Sequence, residues 1–160
     1  MAVQSTYLDN MAAAYAGMIA NTEPNLLISR TVETSGGLGF AVPVIQGTAD
    51  DECDDIAASS DTIIGITVRD QSTESDTFAQ YDSALIMRKG VLWVTVTDAG
   101  GVDAGDAVWV LVSNGTFSNA DAGSDGSIRI NDARWESTAA NADLAKIRFD
   151  LDGGCTAGAS

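Results

Sequence analysis

The chain has 160 residues, the length of one ordinary domain and enough to bury a single core. Its 23 acidic residues outweigh 8 basic ones for a formal charge of -15, and histidine is absent; this excludes a nucleic-acid-binding surface of clustered cations, histidine-based catalysis and His-ligated zinc. With 45% hydrophobic and only 19% charged residues, the composition is not that of a disordered acidic tail.

Residues 1–23 differ from the rest of the chain. They are rich in alanine, and Tyr7, Leu8, Met11, Tyr15, Met18 and Ile19 recur at spacings of three and four. That pattern predicts an N-terminal arm with one short amphipathic helix. Ser5 or Thr6 would cap it, and Asn21 followed by Pro24 would stop it. A helix this short is marginal alone, so it has to pack on its own domain, a neighbouring copy or a larger partner.

After Pro24 the pattern changes to short β-compatible runs broken by Gly, Asp, Asn and Ser. In NLLISRTVE, Leu26, Ile28 and Val32 share a face; in LGFAVPVIQG, Phe40, Val42 and Val44 do. Pro43 removes a backbone donor from the second run, which points to an edge strand or a break. DDECDD at 50–55 reads as a solvated loop, TIIGITV at 62–68 as a strand, and 69–78 as a polar turn region. The densest β signal is SALIMRKG, VLWVTVT and AVWVLVSNGTF, with Arg88, Lys89 and Gly90 as a tight turn or bulge between the first two. Both faces of 91–96 are apolar, which predicts burial on both sides, in a barrel wall or against neighbouring subunits. Asn114-Gly115 marks a tight turn, and LAKIRFDL alternates like a strand with one wet face. The expected fold is all-β: one small sandwich or barrel domain of short strands over 24–151, with an N-terminal arm or short helix over 1–23 and a flexible tail over 152–160.

No constellation of base, nucleophile and orienting group stands out, so no catalytic residue, cofactor site or metal site is assigned. DDECDD and DAGSDGS (121–127) carry charge but lack the alternating ligands, central glycine and distal Glu of a calcium loop. Cys53 and Cys155 are either free thiols or one disulfide, and spacing leaves both open. Neither a signal peptide nor a membrane span is expected, because no basic start leads into a long apolar stretch. Trp93 and Trp109 lie in apolar runs and point to core or subunit interface; Trp135, in the more polar DARWES, is the candidate exposed aromatic.

Taken in order, LGFAVPVIQG, IIGITVRD, SALIMRKGVLWVTVTDAGGVDAGDAVWVLVSNGTF and ADLAKIRFDL resemble tailed-bacteriophage capsid cement, or head decoration, proteins over roughly residues 24–151. The N-terminal segment is similar to the arm that opens such proteins. Gly39, Val42 and Pro43 match the first element, Gly65 and Ile66 the second, and Lys89, Gly90, Val94, Ala104, Gly105 and Asp106 the central hairpins. The resemblance implies structural roles for all of them. It further implies a non-enzymatic virion protein, made in the host cytoplasm, on the outer surface of the mature capsid. There it would bridge major capsid protein subunits, stabilise the head and self-associate as a homotrimer, with no nucleic-acid or membrane partner. Tyr7, Leu8, Met11 and Tyr15 of the arm are then the expected capsid contacts. The alternative is a phage tail- or fibre-associated β module with a carbohydrate-binding role, which predicts an exposed aromatic cleft around Trp135.

Overall fold

The computed structural model describes residues 14–72, 75–123 and 126–151. Eleven strands and no helix occur among them: β1 (Leu26–Val32), β2 (Leu38–Gly39), β3 (Pro43–Gln46), β4 (Glu52–Asp55), β5 (Ile63–Thr67), β6 (Thr77–Phe78), β7 (Ser83–Thr95), β8 (Ala107–Leu111), β9 (Thr116–Ser118), β10 (Ser127–Trp135) and β11 (Leu144–Asp150). The all-β expectation holds, in the form of a barrel-like domain.

The organising element is β7. SALIMRKG and VLWVTVT are one strand of 13 residues, so of the two alternatives at 88–90 the turn is overturned. The register against β1 shifts between the Leu26–Lys89 and Leu27–Met87 pairs, as a bulge at Arg88 makes it. Gly90 allows the strand to run on: its φ of +143° is open to glycine alone, and a Cβ there would strike the Asn25 side chain and the Met87 sulfur. The first half of β7 pairs antiparallel with β1 on one edge and with β5 on the other. From β5 the sheet runs through β3 to β4, which returns to β1 in parallel register and closes a five-stranded barrel. Val32, Leu38, Val44, Cys53, Phe78, Ala84 and Ile86 fill it, with the β2–β6 ribbon contributing Leu38 and Phe78. The second half of β7 continues through β11, β10, β8 and β9. A bridge from Phe117 to Val96 brings β9 back to the end of β7, so this half also curls around a core of Leu92, Val94, Val108, Val110, Ile128, Ile130 and Ile147, among others.

Three expectations are corrected. The DDECDD run is not a loop, because Glu52–Asp55 is β4, with Cys53 fully buried and Asp55 exposed. Alternation along a strand lets one apolar residue enter the core while its acidic neighbours point outward. Burial and the adjacent Asp54 still push the Asp55 carboxyl above its usual range. Pro43 does not mark an edge or a break: β3 lies between β4 and β5, and Pro43 is its first residue, where no ladder donor is needed. The helix expected near the N-terminus is absent from its described part. Residues 14–23 make a turn at Ala16–Gly17 and then run along β7, donating from Gly17 to the Trp93 carbonyl (2.8 Å) and from Ala20 to that of Val91 (2.9 Å). Gly17 sits at φ +83°, where a Cβ would lie 2.9 Å from the Arg69 nitrogen. Sheet pairing has outcompeted the amphipathic helical spacing. Tyr7, Leu8 and Met11 lie outside the described residues.

Gly65 is where the barrel wall tolerates no side chain, since an added Cβ would run into Ile86 and lie 2.7 Å from the Met87 carbonyl oxygen. Gly65→Ala is expected to lower stability by about 1–3 kcal/mol through overpacking, read as a drop in the urea midpoint with an unchanged slope. Burial pushes the Cys53 thiol, which has no disulfide partner among the described residues, up to about 11; Cys155 and the tail over 152–160 lie outside them. At pH near 8 Cys53 should therefore resist alkylation, with its mass-mapped labelling appearing only as the domain unfolds.

Candidate functional site

Two surface features stand out, and they touch. The first is a strap formed by residues 14–25. Ala14 is buried, and Tyr15 is 56% exposed. The Arg69 guanidinium lies 5.2 Å from the Tyr15 ring centre and 5.0 Å from that of Phe40, and it is ion-paired to Asp76 at 2.7 Å. Arg69 also donates its backbone N–H to the Gly17 carbonyl (2.7 Å). At the other end of the strap, Glu23 meets Arg148 through two parallel contacts of 2.6 Å, the planar fork that makes Arg–carboxylate pairs strong and directional. Arg148 turns its remaining Nε to Glu136, also at 2.6 Å. A cavity of about 330 Å³ opens where strap and domain meet, lined by Glu23, Pro24, Lys89, Gly90, Arg148 and Asp150, among others.

The second feature is the outward face of β7, β11, β10 and β8. Strand alternation sends Leu92, Val94, Ala145, Ile147, Ile128 and Ile130 inward, where they are buried. The residues between them face out: Trp93 beside Lys146, Arg148 beside Arg134, and Arg129 beside Trp109. Lys146 Nζ stands 5.4 Å from the Trp93 ring centre, and the Arg129 guanidinium 5.9 Å from that of Trp109. Lys89 forms an ion pair with Asp150 at the strap end of the same face. Five of the chain's eight cations (Lys89, Arg129, Arg134, Lys146 and Arg148) therefore share one side of one half of the sheet. Neither the charge sum nor any single motif signals this. It could have been found only by aligning the out-facing positions of four strands whose pairing the sequence does not state.

The residues singled out from the sequence fall into separate groups. Gly39, Val42, Pro43, Gly65 and Ile66 come together around the buried Thr67, whose hydroxyl donates to the Gly39 carbonyl (2.8 Å) and accepts the Val42 N–H (2.9 Å), while Pro43 pairs with Ile66. Lys89, Gly90 and Val94 lie along β7. Ala104, Gly105 and Asp106 form the turn before β8, tied down where Gly105 donates to the Trp135 carbonyl (2.7 Å). The Asn119 amide and the Asp103 backbone N–H hold the Asp106 carboxyl below its usual range. Tyr15 is the one arm contact that is described. Trp135 is not an exposed aromatic, since it is 1% exposed. In DARWES, Ala133 and Trp135 point inward while Arg134 and Glu136 point outward, so the polar setting is the wet half of a strand alternation. The aromatic cleft that a carbohydrate-binding reading required is not built there. Among the described residues no group of three or more carboxylate or thiol side chains converges as a metal site would require.

The Arg148 guanidinium, hydrogen-bonded to Glu23, holds that carboxyl below its ordinary value near 4.5. A lowered folded pKa means that the pair stabilises the docked strap above the ordinary glutamate range and ceases to as pH falls through the lowered value. Following the Glu23 side-chain carboxyl by NMR, Arg148→Gln should move its titration upward toward the ordinary value. An unchanged midpoint would show that Arg148 does not hold it.

A family model described as "Structural cement protein (E217 gp24/Pam3 gp6)" matches residues 3–150. Among solved structures, a chain in "The capsid of Myoviridae Phage XM1" is 21% identical with a TM-score of 0.75, over 94% of this chain and 98% of that one. A chain in "The crystal structure of head fiber gp8.5 N base in bacteriophage phi29" is 11% identical with a TM-score of 0.43, over 86% of this chain and all of the other, a likeness too weak to compare folds. No curated protein matches. The likeness to the XM1 chain extends over the whole two-barrel fold, and the family match spans both the strap and the domain. This chain belongs to the structural cement proteins of tailed phages, a family of structural, capsid-associated components of the virion.

Proposed function

We infer that the protein binds the outer surface of the mature capsid, bridges neighbouring major capsid protein subunits and stabilises the head, acting there as a homotrimer after synthesis in the host cytoplasm. The family match over 3–150 is the observation that carries this reading. The mechanism is linkage. A protein that binds the mature lattice more tightly than a ruptured one adds its occupancy free energy to the intact state, about 2.7 kcal/mol per site at a hundredfold excess over Kd. Repeated over many identical sites, such increments raise the barrier to breaking the shell without any single strong contact.

The arm supplies one contact set in this scheme. Tyr7, Leu8, Met11 and Tyr15 offer aromatic and flexible apolar side chains of the kind that concentrate interface energy. The glycines and aliphatics from Gly39 to Asp106 singled out by the family resemblance serve the fold and not the contact. The anchoring of residues 14–23 favours this division, because the strap fixes the point from which residues 1–13 depart.

Removing residues 2–13 while keeping the strap is expected to leave the thermal midpoint within about 2 °C, since a cost below 0.5 kcal/mol shifts a domain of this size by no more than that. Occupancy on mature shells that lack the protein should fall at least about tenfold, equivalent to 1.4 kcal/mol. Co-sedimentation of intact and truncated protein with such shells measures it, and equal occupancy would remove the arm from the contact.

A further inference from the structure

Arg134 stands directly across from Arg148 on neighbouring strands, and Lys146 lies two residues from Arg148 on the same face. Like charges placed opposite one another weaken a sheet. Arg148 is neutralised by Glu23 and Glu136, but its neighbours are not. Arg134 donates only to the Ala133 carbonyl, and Lys146 rests on Trp93; neither meets a carboxylate among the described residues. In a chain of charge -15, acids are abundant enough to pair both. The isolated fold gains nothing from leaving these two cations beside a third.

We propose that the outward face of β7, β11, β10 and β8 is the surface that meets the capsid shell, and that its partner there is a carboxylate-bearing protein surface; this rests on the proposed capsid function. Elsewhere the -15 chain repels an acidic partner, whereas this face attracts one and so sets the docking orientation. Its make-up is that of an interface centre: two half-buried tryptophans, each with a cation held over its ring, ringed by ion pairs. Trp93 and Trp109 hold the Lys146 and Arg129 heads in place before the partner arrives, which lowers the ordering cost of binding. A nucleic acid does not fit the same face. Its continuous phosphates would meet Glu23, Glu136 and Asp150 at the rim and the net negative field beyond.

The test is co-sedimentation of the full chain with mature shells lacking it, at low and at high salt. Arg134→Gln/Lys146→Gln is compared with Ser60→Asp/Thr62→Asp, which makes the same change of two charges on exposed residues of the first barrel. Neither variant should lower the parent's urea midpoint, because the altered positions are outside both cores and the glutamine pair relieves a like-charge contact. The glutamine pair should lose at least about tenfold in shell affinity at low salt and show a flatter salt dependence, while the aspartate pair stays within about twofold of the parent. Shell binding retained by the glutamine pair, or lost equally by the aspartate pair, overturns the assignment of this face and leaves the capsid reading standing. A glutamine pair that changes the sedimentation of the free protein and not its shell binding makes the face a contact between copies, which also overturns it. An unaltered chain that fails to bind shells overturns the capsid reading, and this assignment with it.

Discussion

One strand, β7, has to satisfy two cores and two sets of edges at once. Over its 13 residues it is a wall of both barrels, so each half must present its inward side chains to a different interior. Gly90 is the point where the strand changes allegiance, from pairing with β5 to pairing with β11, while β1 accompanies it on the opposite edge as far as Lys89. Beyond Lys89, β1 is spent. A buried strand cannot leave its backbone groups bare, because each unpaired donor or acceptor costs as much as a lost hydrogen bond. The strap meets that requirement: residues 17–20 take over the edge that β1 vacates, and the Trp93 N–H finds its acceptor in the Met18 carbonyl (2.9 Å). The segment that precedes the domain in sequence is thus part of the sheet.

The charge distribution follows from the same architecture. Acids are tolerated in β4 because that strand needs to bury only Cys53, leaving its neighbours to point outward. Where acids gather at a barrel wall, burial and the neighbouring Asp54 raise the Asp55 carboxyl, a small destabilisation that the hydrogen bond it accepts from the Thr34 hydroxyl offsets in part. On the second barrel the wet face carries cations instead. There the carboxylates at hand, Glu23, Glu136 and Asp150, are used to join elements: strap to β11, the end of β10 to β11, and β7 to β11. A net charge of -15 with an opposite-signed face gives the molecule a direction in the field of any charged surface, which the sum alone conceals.

What could be read from the sequence was whatever depends on local alternation. The period-two pattern in LAKIRFDL gives Ala145, Ile147 and Phe149 to the core in the structure as in the sequence, and Asn114-Gly115 is a turn with Gly115 at φ +64°. What could not be read depends on long-range pairing. DDECDD looks like a loop until β1 and β3 supply partners on both sides. The three-and-four spacing of Tyr15, Met18 and Ile19 is helical, yet the open edge of β7 offers those residues hydrogen bonds that a lone short helix cannot match. Trp135 looked exposed because its neighbours are charged. A register shift in β10 between Ile130 and Arg134 sets which side of the strand they occupy, and no local pattern announces it. The candidate site was the least legible part. Its cations come from three strands and become neighbours only in the folded sheet.

The strap is fastened to the domain along its whole length. Its three backbone bonds to β7 run side by side along one strand edge, and its two ends are fixed by different chemistry: an arginine held between aromatic rings at Tyr15 and a forked ion pair at Glu23. The other edge of β7 is held by β11 and its inward side chains by the second core. Arg148 then has a double position: it fastens the strap through Glu23 and lies in the cationic face beside Arg134. Any carboxylate that a partner brings to that face competes with Glu23 for the same guanidinium or joins it on the cations alongside. The proposed docking face and the strap attachment therefore share one residue, and a change at either alters the electrostatics of the other.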